Sequence, residues 1–143
     1  MNTSEQLLQV FSDNFVAYYR SHVAHVNIEG RNFYSDHNLL QKIYEDLQGE
    51  IDTIAEKIRT LGDYMPCEIQ DALNNSHIHT GELWGDSEYL LNNVLEDLEH
   101  LVVEYQELIE ISNMEGHDEI ANYAQDRIAS LNKFIWMLKS TQG

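Results

Sequence analysis

The sequence predicts an all-α chain: four long helices in a bundle, with one long crossover between the second and third that carries a short helix of its own. Three observations predict it. Glycine is sparse and Pro66 is the only proline, so little in the chain interrupts a helix. Apolar residues recur at threes and fours through four long segments, the period of one helix face. The third is size: 143 residues with 43% hydrophobic and 23% charged side chains are enough for one real core, and the expectation is a single domain over residues 1–143.

The first helix is expected from about Ser4 to Ile28, with Leu7, Phe11, Phe15, Tyr18, His22 and His25 along one stripe, and Gly30 offers a stop. The second begins near Asn32, a residue type suited to an N-cap, and runs to Leu61 before Gly62. Phe33, Leu40, Tyr44, Leu47, Ile51, Ile54 and Ile58 form its apolar stripe. A linker from Gly62 to Gly81 follows, and Cys67 to Asn74 reads as its short helix. The third long helix is expected from about Glu82 to Ser112 and the fourth from about His117 to Lys139. Short turns join the first pair and the last pair, so each pair packs antiparallel, and the long middle connection crosses over the bundle.

Charge narrows the function. Twenty-five acidic against eight basic residues give a formal net charge of −17, a surface that repels phosphate. The cations (Arg20, Arg31, Lys42, Lys57, Arg59, Arg127, Lys133 and Lys139) are scattered, and none precedes Arg20. Affinity for DNA comes largely from clustered Lys and Arg that release counterions, so DNA binding is not expected. Excess carboxylate suits the handling of metal cations. No apolar run approaches the ~20 residues of a membrane span, and the N-terminus lacks the basic-then-apolar layout of a signal peptide. The expected location is the cytoplasm, in agreement with a lone cysteine, Cys67, that has no internal partner for a disulfide.

The residues with metal-binding chemistry are His25 at the end of the first helix and His37, Gln41, Asp52 and Glu56 on the second. His25 and His37 flank the turn between two packed helices. Asp52 and Glu56 are four apart, one above the other on a helix face, and can share a cation. The two halves do not meet within one chain: fifteen residues separate His37 from Asp52, roughly 22 Å along one straight helix. An antiparallel two-fold pairing of second helices would set the histidines of one copy against the carboxylates of the other, twice per dimer. Such N and O donors suit Fe(II), and Zn(II) would compete.

The stretch His22-Val-Ala-His25-Val-Asn27-Ile-Glu-Gly30-Arg-Asn-Phe33-Tyr-Ser-Asp-His37 resembles the signature of the Dps miniferritins, and the resemblance continues through Tyr44 to Leu47, Ile51 to Ile58, Leu61-Gly62 and Phe134 to Leu138. It implies a ferritin-like four-helix bundle and a ferroxidase centre between subunits of a dodecameric shell built from two-fold dimers. His25, His37 and Asp52 match its iron ligands, and Glu56 a glutamate able to bridge two irons. It also implies that Fe(II) is oxidised to Fe(III) by peroxide or oxygen, that ferric mineral is stored inside, and that oxidative damage is limited. Two positions depart from the family. Gln41 stands where an acidic residue is usual near the second iron, and Val26 where Trp is common after the first histidine. The lysine-rich tail is missing too.

Weaker candidates are Asp118, Glu119 and Asp126 near the start of the fourth helix, which could line an acidic pore, although carboxylates at a helix N-terminus also answer the macrodipole. His77-x-His79 reads as a surface pair without further ligands. Asp97-Leu-Glu99-His100 has the wrong spacing for the Glu-x-x-His motif of larger ferritins, which argues against a di-iron centre inside one subunit. Two other functions are open on these residues: a shell that sequesters metal without turning it over, and a monomeric helical adaptor whose acidic face binds basic partners.

Overall fold

The structure, a computed structural model, describes residues 1–142 and contains five helices. They are α1 (Thr3–Asn27), α2 (Phe33–Thr60), the short α3 (Ile69–Leu73), α4 (Ser87–Met114) and α5 (Asp118–Thr141). α1 packs against α2 and α4, α4 against α5, and α3 lies on α1. This is the expected pair of hairpins with one crossover between them.

Local chemistry sets the ends. α1 opens with a capping box: Asn2 Oδ1 accepts from the Glu5 amide at 2.8 Å while Glu5 Oε1 accepts from the Asn2 amide at 3.0 Å. α2 and α4 each close on a glycine with positive φ, Gly62 at 92° and Gly116 at 79°. At the first, Asp63 N–H reaches back to Ile58 O and Gly62 N–H to Arg59 O; at the second, His117 N–H reaches Ser112 O and Gly116 N–H reaches Asn113 O. Both are Schellman turns, which only glycine enters without a Cβ penalty.

Two boundaries and one cap differ from expectation. α4 begins at Ser87, later than Glu82, because the Asp86 side chain takes the N-cap role and accepts from the Tyr89 amide at 2.9 Å. α3 is limited to Ile69–Leu73. Asn32 precedes α2 as predicted but makes no side-chain cap bond; its carbonyl accepts from the Asp36 amide instead.

The core is built from Leu7, Val10, Ala17 and Ala24 of α1, Leu40, Ile43, Leu47, Ile54 and Ile58 of α2, Leu98, Leu101, Tyr105 and Leu108 of α4, and Ile120, Ala124, Leu131 and Leu138 of α5. At ~25 cal/mol per Å² of apolar surface removed from water, such residues supply most of the drive to fold. Two arginines inside are paired with carboxylates. Arg20 Nε donates to Asp97 Oδ2 at 2.7 Å between α1 and α4, and Arg127 of α5 grips Asp46 of α2 with two nitrogens at 2.6 and 3.2 Å. No helix is long and apolar enough to cross a membrane.

The crossover is fastened to α1 by polar contacts. Ser12 Oγ donates to Ala72 O, Gln9 Nε2 to Asn75 O, and Asp13 Oδ1 accepts from both Ser76 Oγ and the His77 amide. Ile78 and Leu83 add buried apolar anchors.

Candidate metal centre

The short turn between α1 and α2 brings His25 and His37 together as their spacing predicted. Their rings stack, with centroids 3.7 Å apart and planes 18° from parallel. Each ring is then locked by the other's main chain: His25 Nδ1 donates to His37 O at 2.8 Å, and His37 Nδ1 donates to His25 O at 2.7 Å. A carbonyl oxygen only accepts, so the proton of each neutral ring sits on Nδ1. Both Nε2 atoms keep a free lone pair, the form in which imidazole binds metal.

A row of rings supports the pair. Phe33 stacks on His37, Tyr44 lies edge-on to His25, and His22 stacks on Tyr44 with centroids 4.0 Å apart. Tyr18 Oη and His22 Nδ1 are 3.1 Å apart. His25 is buried and His37 half-buried, so the donors sit at the edge of the core with one side open.

Asp52 and Glu56 lie further along the same uninterrupted helix, exposed and without a basic partner among the described residues. Their proximity is felt: a side-chain hydrogen bond with Asp52, then the repulsion of its charge, holds the Glu56 carboxyl above its usual value. A cation is what such a pair lacks. Because α2 is one helix from Phe33 to Thr60, the ~22 Å between the imidazoles and the carboxylates stands, and the chain does not bring its two half-sites together.

Gln41 is half-buried beside the histidines, its amide nitrogen donating to Glu45 Oε1 at 2.8 Å. Its carbonyl oxygen, the weaker sort of ligand for a hard cation, is the atom left over. Asp118 and Glu119 stand in the exposed first turn of α5, and Asp126 is exposed farther along it. Val26 is exposed, next to the ring row rather than in it.

Sequence reasoning missed Asp36. It is 3% exposed, its Oδ1 has no hydrogen-bond partner among the described residues, and burial raises its pKa. The only advance signal was its position in the first turn of α2. His77 also departs from expectation: it has further ligand types around it, Asp13, His100 and Glu104, whereas His79 does not join them. Asp97 is engaged by Arg20 and stands apart from that group.

Comparison with known proteins agrees with the fold. The ferritin-like domain model matches residues 4–143. A protein of Helicobacter pylori named "DNA protection during starvation protein" is 30% identical over 141 residues, 98% of each chain, and one of the same name from Brevibacillus brevis is 29% identical over 98% of each. The crystal structure of Dps from Listeria monocytogenes superposes with a TM-score of 0.94 at 25% identity, covering 100% of this chain and 94% of that one. The family model and these relatives cover the chain along its full length, and the chain belongs to the ferritin-like family as a Dps-type miniferritin.

Proposed function

We propose that this chain, acting as one ferritin-like domain, oxidises Fe(II) at centres shared between two copies and stores the ferric product in a hollow dodecameric shell. One observation carries the reading: His37, with His25 of α1 stacked on it, and the Asp52–Glu56 pair lie ~22 Å apart along one uninterrupted helix, an interval that an antiparallel copy of that helix would close at both ends. His25 and His37 of one copy offer two imidazole Nε2 atoms, and Asp52 and Glu56 of the other offer carboxylates. Solvent-exposed Tyr19, Val26 and Trp84 are apolar surface that a second copy would cover.

The chemistry is a transfer of electrons from the bound substrate. Two Fe(II) give one electron each to hydrogen peroxide, its O–O bond breaks, and two protons complete two molecules of water. Dioxygen is the other oxidant implied by the family. The locked imidazoles hold the donor geometry fixed, and the paired carboxylates supply the negative charge that ferric iron favours over ferrous. Glu56 is suited to bridge a second ion, and Gln41 makes that second position the weaker. Zn(II) would compete for the same donors. Asp118, Glu119 and Asp126 would draw cations inward where copies meet.

Protection of DNA, the role named in the relatives, would here be chemical. Removal of Fe(II) and peroxide together stops hydroxyl-radical formation, and a chain of net charge −17 with scattered cations offers DNA no grip. The reading places the protein in the cytoplasm, where oxidative stress meets the chromosome.

A second reading is favoured by Gln41 alone: a shell that sequesters metal without efficient turnover. The test measures assembly mass and peroxide-driven Fe(II) oxidation on one sample. The proposal expects a large assembly and oxidation faster than in buffer, abolished in a His37→Ala/Glu56→Ala double variant. A large assembly with metal uptake but no acceleration would favour sequestration, and a particle near 16.6 kDa would exclude both.

A further inference from the structure

A second cluster of metal-ligating side chains lies within one chain, away from the α1–α2 turn. Asp13 of α1, His100 and Glu104 of α4, and His77 of the crossover each offer one donor atom, all within 4.8 Å of one another. His100 Nε2 is 3.2 Å from both Asp13 Oδ2 and Glu104 Oε1, and His77 Nδ1 is 3.6 Å from Glu104 Oε1. The edges of a tetrahedron around Zn(II), with bonds of about 2.0 to 2.1 Å, are about 3.3 Å long. Three measured edges are near that length, and movement of about 1.5 Å at most closes the widest separation.

Charge calls for a cation there. Asp13 is 0% exposed and Glu104 5%, yet among the described residues neither carboxylate meets a Lys or Arg within ion-pair distance. Elsewhere Arg20 serves the buried Asp97 and Arg127 serves the half-buried Asp46. Two unscreened carboxylates side by side cost free energy unless something positive stands between them. The groups facing them are two imidazoles and the amides of Gln6 and Gln9.

The surrounding hydrogen bonds aim the donors. Asp13 Oδ1 is taken by Ser76 Oγ at 2.9 Å and the His77 amide at 2.7 Å, which turns Oδ2 toward His100. Gln6 Nε2 holds Glu104 Oε2 at 3.1 Å and turns Oε1 toward both histidines. Each carboxylate thus has one oxygen fixed by protein and one presented, with Gln9 Nε2 steadying Oδ2 at 3.0 Å. Ligands oriented by such outer partners are the mark of a built metal site.

We propose that Asp13, His77, His100 and Glu104 form an intrasubunit site for a divalent first-row cation, Zn(II) by preference, that clamps the crossover to α1 and α4. Two imidazole nitrogens and two carboxylate oxygens in a closed four-donor set suit the tetrahedral preference of Zn(II). The ion would join three segments far apart in sequence and remove two negative charges from the protein interior. It needs no second copy, so its fate is separable from that of the shared iron centre.

The test is Zn(II) titration of the assembled protein by calorimetry, with Co(II) absorption as a report of four-coordinate geometry, on wild type, His77→Ala, His100→Ala and His37→Ala/Glu56→Ala. The His77 side chain is mostly exposed, so its replacement leaves the core intact. Expected are one intrasubunit equivalent of Zn(II) per chain with a four-coordinate Co(II) spectrum, both retained when the shared centre is broken. Affinity at this site should fall about tenfold or more in His77→Ala and further in His100→Ala, and the Zn(II)-induced rise in melting temperature should shrink with it. Equal Zn(II) binding in wild type and the two histidine variants, or loss of all Zn(II) from the His37→Ala/Glu56→Ala protein, would overturn the proposal.

Discussion

If the centre is shared between two chains as proposed, it can be rebuilt from two broken ones, and the geometry of α2 fixes how much activity returns. His37→Ala removes an imidazole and leaves Asp52 and Glu56; Glu56→Ala removes a carboxylate and leaves both histidines. Shells of either variant alone contain no whole centre. When the two chains are co-assembled in equal amounts, random pairing makes about half of the two-fold dimers mixed, and each mixed dimer has one centre with all its ligands and one lacking two. About one quarter of all centres are then whole, and the initial rate of peroxide-driven Fe(II) oxidation should be about one quarter of wild type. The assay is absorbance of ferric product on particles whose dual composition is verified by mass spectrometry. Parent shells mixed after assembly serve as the control and should stay inactive. Mixed particles no faster than their parents would refute the shared centre, because ligands that all came from one chain gain nothing from a neighbour.

Three further outcomes follow from the same structure. Gln41→Asp restores an acidic oxygen beside the histidines and should raise anaerobic Fe(II) binding from about one toward two ions per centre, read by titration; an unchanged stoichiometry would show that Gln41 is not what weakens the second position. Asp52→Asn removes the neighbour that raises Glu56, so the Glu56 titration followed by NMR should move to lower pH. Since the folded value is raised, Glu56 favours the fold most below its unfolded pKa and loses that contribution as pH rises through the folded one; in Asp52→Asn this slope should flatten. Arg20→Ala strands Asp97, which burial already pushes up to about 6 against the pull of Arg20, and should cost about 3 to 5 kcal/mol in denaturant unfolding. The loss should be largest above that pKa and shrink as acid neutralises Asp97; equal losses at pH about 5 and 8 would contradict the assignment.

The helices were legible because their apolar residues repeat at helical intervals, and the two hairpins because the turns at Gly30 and Gly116 leave no room for another arrangement. The His25–His37 pair was legible for the same reason, as residues bracketing a tight turn between packed helices must approach. What their Nδ1 atoms do was not, since main-chain carbonyls carry no side-chain signature. α1 shows the limit most clearly. Its predicted stripe of Phe15, Tyr18 and His22 is only half-buried and forms the ring row beside Tyr44, while the polar Gln6, Asp13 and Asn14 are inside. Their partners come from α4, the crossover and α2, and an apolar periodicity is blind to a buried carboxylate satisfied from 60 or more residues away. The start of α4 differs for a local reason: the residues from Glu82 carry no helix-breaking proline, yet the Asp86 side chain caps the Tyr89 amide and sets the first turn at Ser87.

The mutual grip of His25 and His37 has a mechanical side. The last carbonyls of a helix have no partner of their own and its final turn ordinarily frays, but at the end of α1 a ring from the following helix occupies one of them. Opening that turn would therefore unseat both proposed metal donors at once, and an ion bound there would in return stiffen the hairpin. Amide exchange at residues 24–28 should slow when iron or zinc is held there, which makes the joint between two helices a gauge of whether the site is filled.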